Sequence, residues 1–234
     1  MNALSKFRVT ILLGLLLGAT SVALLPRQEQ PPTAEMSLQE LKDGNKHHAN
    51  HRYTHPHETQ KRQHELAAGQ NPHAVILGCA DSRVPPEIIF DQGLGDLFTV
   101  RVAGNVAGVN ELASIEYAVE HLHTPLLVVM GHQKCGAVSA AVEGGEAGGH
   151  LPDLLKAIQP AVDKAKGMPG DAIENAVRNN VEMVVQQLRT SQPVLATLVK
   201  EGKLRIIGAV YSLDTGKVTW LPEPTEMTAE NVKK

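Results

Sequence analysis

Both cysteines of this chain lie in short motifs whose other residues can bind a metal or carry charge. The first motif is Cys79-Ala-Asp81-Ser-Arg83, and the second is His132-Gln-Lys-Cys135. Zinc prefers four nitrogen or sulfur ligands, and a catalytic site typically leaves one of the four positions to water. Two thiolates and one imidazole therefore predict a catalytic zinc site formed by Cys79, His132 and Cys135. Asp81 and Arg83 add a carboxylate and a guanidinium beside the first cysteine.

Two predicted strands explain how these motifs, which are distant in sequence, can meet. Residues 74–78 (AVILG) and 126–130 (LLVVM) are short apolar runs, typical of strands buried on both faces of a parallel sheet. Cys79 directly follows the first run, and His132 comes shortly after the second. In open α/β sheets the carboxyl ends of the strands form the ligand crevice. We therefore expect both motifs at one edge of one sheet.

The order of the predicted elements is that of an α/β fold. A strand is predicted over 97–102. A helical stretch that follows Asn110 separates it from the strand at 126–130, with Leu112, Ile115, Val119 and Leu122 on one face. This order is typical of a parallel βαβ unit. Helices are also predicted over 154–165, 172–188 and 193–200, and paired strands over 204–211 and 218–221. We predict a mostly parallel central β-sheet flanked by helices, with an N-terminal helical arm and a C-terminal strand pair.

The first residues of the chain predict export. Lys6 and Arg8 precede an apolar run over 9–17, and Ser21-Val22-Ala23 is a small-x-small cleavage site. We predict a signal peptide over 1–23, cleaved after Ala23, and a periplasmic or secreted protein with no stable membrane association after cleavage. An uncleaved membrane anchor is the alternative, because apolar sequence continues to Leu25 and approaches the ~17 residues needed to span a bilayer.

The segments that follow predict a tether, one folded domain and a tail. Residues 24–35 are proline-rich and polar, which favours an extended tether. The domain is predicted over 36–222 and the tail over 223–234. Ser37 is a plausible N-cap for a first helix over 38–45, with Glu40 three residues later to close a capping box.

A histidine-rich segment, residues 47–64, is a second place where a metal could bind. Its histidines are irregularly spaced, and Pro56 interrupts them. A preformed metal site needs ligands that converge, so this spacing favours a solvated helix and loop over a metal site. The six histidines are His47, His48, His51, His55, His57 and His64.

Composition and charge exclude some classes of protein. With 42% hydrophobic and 20% charged residues, the 234-residue chain can bury one sizeable core. The formal charge of −3 becomes about −5 when Lys6 and Arg8 leave with the signal peptide. This negative balance argues against nucleic acid as a partner.

A disulfide between Cys79 and Cys135 is an alternative to the metal site, because exported proteins ordinarily oxidise paired thiols. The chain has neither the small, disulfide-dense composition nor the CxxC motif of redox proteins. A bound zinc would hold both sulfurs as thiolates and protect them from oxidation.

Four segments together resemble the β-class carbonic anhydrases: CADSRVPPE, RVAGN, SIEYAVEHL and GHQKCGAV. The resemblance extends from about Leu38 to Leu221, so the predicted domain is a carbonic anhydrase domain. It implies reversible hydration of CO2 to bicarbonate and a proton by zinc-bound hydroxide, with one Zn²⁺ per subunit. Zinc can lower the pKa of water to about 7. Asp81 and Arg83 match the catalytic pair, in which Arg83 would keep Asp81 ionised and away from the open zinc position.

The same resemblance implies a substrate pocket and an oligomer. Gln70, Phe98, Tyr117 and Gly136 match the pocket residues of the family. Part of that lining comes from a neighbouring subunit, so the resemblance implies a homodimer or a higher homo-oligomer, with the N-terminal arm across the interface. A non-catalytic metal-binding protein that uses the histidine-rich segment and a thiol-disulfide protein stay open as alternative functions.

Overall fold

The computed structural model of the chain describes residues 32–145 and 148–223. Its centre is a five-stranded sheet in the order β2-β1-β3-β4-β5. Strands β1 to β4 are parallel, and β5 runs antiparallel to β4. The predicted mostly parallel sheet with a C-terminal strand pair is therefore confirmed. The strands are β1 (Ala74–Gly78), β2 (Leu97–Arg101), β3 (Leu126–His132), β4 (Arg205–Tyr211) and β5 (Val218–Trp220).

Both faces of the sheet are buried, as the uninterrupted apolar runs predicted. Val75 and Leu77 of β1 belong to one core cluster, and Ile76 belongs to the other. Successive side chains of a strand point to opposite faces, so an apolar residue at every position requires cover on both sides. Every residue of β3 is buried as well.

Helices provide this cover, and the predicted ones are present with small shifts of their ends. They are α1 (Ala34–Ala49), α2 (Gln60–Leu66), α3 (Pro86–Ile89), α4 (Val109–Glu116), α5 (Gly136–Glu143), α6 (Leu151–Ala165), α7 (Ala172–Thr190) and α8 (Val194–Lys200). A π-helical turn over Tyr117–His121 continues α4. Within the ranges described, no helix has the length and apolar character needed to cross a membrane.

The predicted start of the first helix is wrong. Helix α1 begins at Ala34, and the Thr33 hydroxyl caps it by accepting a hydrogen bond from the Met36 amide at 3.2 Å. Ser37 lies inside the helix and is fully buried. Thr33 and Ser37 are both good capping residues, but Ser37 lies beside Leu38 on the face of α1 that the core buries. The last two residues of the predicted tether, 34 and 35, are therefore helical.

Helix α1 is tied to its own subunit near the end of α3 and the start of β5. The Asn45 side chain donates to the carbonyls of Ile89 and Gly216 and accepts from the Val218 amide at 2.9 Å. Gly44 allows the close approach, because a Cβ at this position would lie 1.7 Å from the Phe90 carbonyl oxygen. Any side chain there would separate the helix from the domain.

Candidate metal centre

Neighbouring strands bring the two motifs to one edge of the sheet. Strands β1 and β3 are adjacent and parallel, with Gly78 opposite Met130. Cys79 directly follows β1, and His132 is the last residue of β3. Cys135 is the N-cap of α5. The three side chains therefore approach one another at the carboxyl edge, where the sequence predicted that the motifs would meet.

The three candidate ligand atoms are close together and shielded from solvent. The Sγ atoms of Cys79 and Cys135 are 4.0 Å apart, and both sulfurs and a ring nitrogen of His132 lie within 4.8 Å of one another. The three residues are at most 4% exposed. Among the described residues, this is the only such group of three or more His, Cys, Asp or Glu side chains.

The two cysteines are free thiols. A disulfide needs an S–S distance of about 2.05 Å, and the observed separation is 4.0 Å. The arrangement therefore does not favour the thiol-disulfide alternative.

The hydrogen bonding of His132 leaves one ring nitrogen available as a ligand. Its Nδ1 lies 2.9 Å from the Gln133 carbonyl oxygen, which can only accept, so Nδ1 carries the proton. The other nitrogen, Nε2, is buried and has no hydrogen-bond partner among the described residues. A buried polar atom without a partner is costly. A zinc ion, bound by this nitrogen and two sulfurs, would remove that cost and leave a fourth position open.

The hydrogen bond between the two cysteine side chains shifts their pKa values in opposite directions. The hydrogen bond from the Cys135 side chain lowers the pKa of the Cys79 thiol to about 4, against burial, and His132 and backbone amides also contribute. The same hydrogen bond and burial raise the pKa of Cys135. A zinc ion held here would bind both sulfurs as thiolates, because thiolates are the metal ligands.

Asp81 is held as a carboxylate beside this cluster. Its Oδ1 accepts from the Nε and the backbone amide of Arg83, both at 2.9 Å, and its Oδ2 accepts from Nη2 at 2.6 Å. The Arg83 side chain therefore holds the pKa of Asp81 well below its usual range. Oδ2 lies 3.9 Å from His132 Nε2, so the carboxylate faces the cluster. Arg83 also donates to the Lys134 carbonyl at 3.3 Å, which connects the two motifs.

The last residue of β2 and the segment after it supply two further groups that the sequence analysis did not identify. Arg101 donates to the Cys79 carbonyl at 2.9 Å and to the Asp81 carbonyl at 2.6 Å. The Gly104 amide donates to Cys79 Sγ at 3.3 Å. Arg101 lies opposite Gly78, the last residue of β1. The position of RVAGN at the carboxyl end of a predicted strand was the available signal.

A cavity of about 490 Å³ lies beside the residues that follow Cys135 in helix α5. Gly136, which directly follows Cys135, lines it, as do Ala103, Ala137, Leu151 and Leu155. The structure therefore places the predicted pocket residue Gly136 at a mostly apolar space next to a ligand. This space can hold a small nonpolar molecule.

The other predicted pocket residues lie elsewhere in the subunit. Gln70 is exposed in the loop before β1. Phe98 is near the start of β2, opposite Val75, and its ring centroid is 6.2 Å from that of Tyr117. Tyr117 is 48% exposed. None of the three lines the 490 Å³ cavity. Their role in substrate binding stays a prediction, which requires that subunits assemble.

The histidine-rich segment does not gather its rings around a common point. His47 contacts Asp91 at 3.0 Å, and His57 contacts Asp96 at 2.7 Å. His48 lies 2.9 Å from the hydroxyls of both Tyr53 and Tyr211. These rings are used in separate structural contacts, so the arrangement does not favour a metal-binding protein that uses this segment.

Comparisons with known proteins agree with this site. The family model for carbonic anhydrase matches residues 74–218. Carbonic anhydrase 2 of Mycobacterium tuberculosis is 42% identical over 181 residues, covering 76% of this chain and 87% of that protein. The carbonic anhydrase of Mycolicibacterium smegmatis is 38% identical over 182 residues, with 76% and 88% covered.

Solved structures are similar over most of the chain. One from a study of two tetrameric β-carbonic anhydrases of Sordaria macrospora has a TM-score of 0.65 at 26% identity, covering 82% of this chain and 96% of that one. A Coccomyxa β-carbonic anhydrase in complex with acetazolamide has a TM-score of 0.64 at 31% identity, covering 69% and 77%.

Proposed function

The chain belongs to the β-carbonic anhydrase family, and on this premise we propose that it catalyses CO2 + H2O ⇌ HCO3⁻ + H⁺ with one zinc ion per subunit. Cys79, His132 and Cys135 would hold the ion. The observation that carries the proposal is the buried Nε2 of His132, which has no partner among the described residues and lies within 4.8 Å of two thiol sulfurs.

When bound, zinc supplies the Lewis acidity that makes water a nucleophile near neutral pH. Asp81, whose Oδ2 faces the cluster, would accept a hydrogen bond from the attacking water and so orient it toward the substrate carbon. Arg83 keeps Asp81 ionised and occupies both of its carboxylate oxygens, so it holds the carboxylate back from the open ligand position. Arg101 fixes the backbone that carries both Cys79 and Asp81.

The apolar cavity is the proposed path for CO2. Carbon dioxide has no net charge and no dipole, so small apolar side chains such as Ala103 and Ala137 accommodate it without unsatisfied polar groups. Bicarbonate is charged, and the same lining favours its release. Gly136 keeps the opening beside Cys135 free of a side chain.

Stopped-flow measurement of CO2 hydration, with zinc content determined on the same sample, tests the proposal. We expect activity in proportion to bound zinc, with one ion per subunit. Protein that is full of zinc but hydrates CO2 no faster than buffer would refute the proposed activity.

We also propose a homo-oligomer, with a dimer as its smallest unit, in which Gln70, Phe98 and Tyr117 complete the substrate pocket of a neighbouring subunit and the N-terminal arm crosses the interface. The half-exposed Tyr117 ring beside Phe98 supports an interface at this surface. Analytical ultracentrifugation should give at least a dimer, whereas an active monomer would contradict the proposal.

Export is proposed from the N-terminal sequence, which lies outside the described residues. The charged residues Lys6 and Arg8, the apolar run and the small residues at 21–23 support a signal peptide cleaved after Ala23 and a periplasmic or secreted enzyme. Mass spectrometry of the purified protein should show a chain that begins at Leu24. An intact N-terminus in a membrane fraction would favour the anchored alternative.

A further inference from the structure

The Gly104 amide contacts one of the proposed zinc ligands directly. It donates a hydrogen bond to Cys79 Sγ at 3.3 Å. Hydrogen bonds to a ligand atom orient it and tune the metal that it binds. The orientation of the Gly104 backbone is therefore part of the metal centre, although Gly104 supplies no ligand.

Glycine is an unusual choice for a position that must present an amide accurately, because it is the residue with the greatest backbone freedom. Here φ of Gly104 is +69°, and a Cβ would lie 2.7 Å from Ile158 Cδ1 and 3.3 Å from Ala137 Cβ. The positive φ favours glycine, and a side chain at this position would also have to displace Ile158. Something other than a side chain at position 104 must therefore restrain its backbone.

Asn180 supplies that restraint. Its Nδ2 donates to the Gly104 carbonyl oxygen at 2.8 Å. The amide and carbonyl of Gly104 belong to peptide units joined at its Cα, so fixing the carbonyl limits the rotation that would turn the amide away from Cys79.

The Asn180 side chain makes no other hydrogen bond within the described ranges that would explain an asparagine at this position. It lies in the middle of α7 and is 1% exposed, where an amide is costly to bury and asparagine is a poor helix former. The bond to Gly104 is the single hydrogen bond that its side chain makes within the described ranges, since Oδ1 has no partner there. An apolar residue would pack at this position without an unsatisfied atom.

We propose that Asn180 is a positioning residue of the metal centre, which holds the Gly104 amide on the thiolate of Cys79 and so tunes the ion. The inference rests on the proposed zinc site. Asn180 acts through the Gly104 backbone and touches neither metal nor substrate.

The neighbouring residue Asn179 is a matched control. It is on the same helix and 2% exposed. Its Nδ2 donates to the Ala161 carbonyl at 3.3 Å and contacts Met168 Sδ at 3.7 Å, both away from the Cys79 loop. Replacing either asparagine by leucine removes one buried amide and the hydrogen bonds that it donates, but only Asn180→Leu frees the Gly104 carbonyl.

The test compares Asn180→Leu, Asn179→Leu and the unmodified full chain after replacing zinc with cobalt. The thiolate-to-cobalt charge-transfer band reports electron density on the sulfurs. In Asn180→Leu we expect this band to move to longer wavelength, because a weaker N–H···S bond leaves the sulfur lone pairs higher in energy. We expect zinc affinity, measured by chelator competition, to fall by about tenfold. Asn179→Leu should keep the band position and an affinity within about twofold, whatever its unfolding temperature.

Identical bands and zinc affinities in the two leucine variants would overturn the role of Asn180 and leave the proposed function intact. Absence of thiolate-to-cobalt bands in the unmodified protein would instead overturn the zinc site itself. If Asn180→Leu does not fold, Asn180→Ala replaces it, because alanine adds no volume, and Asn179→Ala becomes the control. We expect the same band shift and the same fall in zinc affinity in Asn180→Ala alone.

Discussion

Two regions of this molecule contain the side chains that bind transition metals, and only one of them is built as a metal centre. At the carboxyl edge of the sheet, Cys79, His132 and Cys135 direct their ligand atoms to a common point. In the histidine-rich segment, by contrast, His47 and His57 point to separate carboxylates, those of Asp91 and Asp96.

The two regions differ in whether their histidine nitrogens already have hydrogen-bond partners. His132 Nε2 has none within the described part of the chain, whereas the rings of His47, His48 and His57 already make hydrogen bonds. Burial adds to the contrast, because the His132 side chain is 1% exposed and those of His47 and His57 are 42% and 50% exposed. The residue types alone therefore make a metal site possible. The site also requires that the ligand atoms converge on one point and that at least one of them has no other hydrogen-bond partner.

Removing one ligand from the cluster should have the largest effect. Cys79→Ser is expected to reduce zinc from one per subunit to almost none and CO2 hydration to background, because two remaining ligands hold zinc poorly. Elemental analysis and stopped-flow assays measure both. His51→Ala, in the histidine-rich segment, is the control and should keep both. Equal zinc loss in the two variants would contradict the conclusion that only the cysteine-containing cluster binds the zinc.

Removing the partner of Asp81 should separate catalysis from metal binding. Arg83→Ala is expected to keep its zinc but lose about 10- to 100-fold in kcat, because Asp81 is no longer held in place and away from the open ligand position. Arg205→Ala, which removes an arginine paired with Glu223, should leave kcat unchanged. Full activity in Arg83→Ala would contradict the proposed role of the pair.

The same pair predicts a pH dependence. The lowered pKa of Asp81 means that it stays ionised as pH falls into the usual carboxyl range, so its protonation should cause no loss of activity on acidification to about pH 5. In Arg83→Ala its pKa rises, and the residual activity should fall at a higher pH than in the unmodified enzyme. The pH profiles of kcat measure this shift, and superimposable acid limbs would argue against it.

The carboxylate that anchors the histidine-rich segment should affect stability and leave the metal in place. Burial acts to raise the pKa of Asp91, but the hydrogen bonds from Thr54, His55 and His47 together outweigh it and lower the pKa overall. A lowered pKa means that the stabilisation is present above the usual carboxyl range and lost as pH falls below it. Asp91→Asn should cost about 1–3 kcal/mol at pH 7, with zinc content unchanged.

Denaturant unfolding at pH 7 and in acid measures this cost, with Asp214→Asn as the control. Asp214 pairs with Lys134 at the surface, where such pairs contribute at most ~1 kcal/mol. A loss of zinc from Asp91→Asn at pH 7 would show that the two regions are coupled.

The smallest effect is expected from the exposed histidines of the segment. His55 contacts Glu58 at 3.3 Å with both side chains exposed, so His55→Ala should change the unfolding free energy by less than about 0.5 kcal/mol and leave one zinc per subunit. A fall in zinc stoichiometry would show a metal site in this segment.

The sequence was informative where a feature depends on local pattern. The apolar runs of β1 and β3 predicted buried parallel strands, and the rule that ligands gather at strand ends placed Cys79 and His132 together. The prediction of Ser37 as the N-cap failed, because Thr33 also caps well and the packing of α1 on the core decides between them.

Features that depend on tertiary packing could not be predicted in this way. Arg101 reaches two carbonyls of a neighbouring loop, and Asn180 reaches Gly104 from a helix far along the chain. No short motif surrounds Asn180. The sequence around a single polar residue in a helix does not indicate which distant residue its side chain will contact.

X-ray absorption at the zinc edge of the purified protein tests the central claim most directly, because it identifies the ligand atoms themselves. We expect one zinc per subunit with two sulfur ligands at about 2.3 Å and a histidine nitrogen at about 2.0–2.1 Å. A shell of nitrogen and oxygen alone would place the metal on histidines away from the two cysteines and contradict the account.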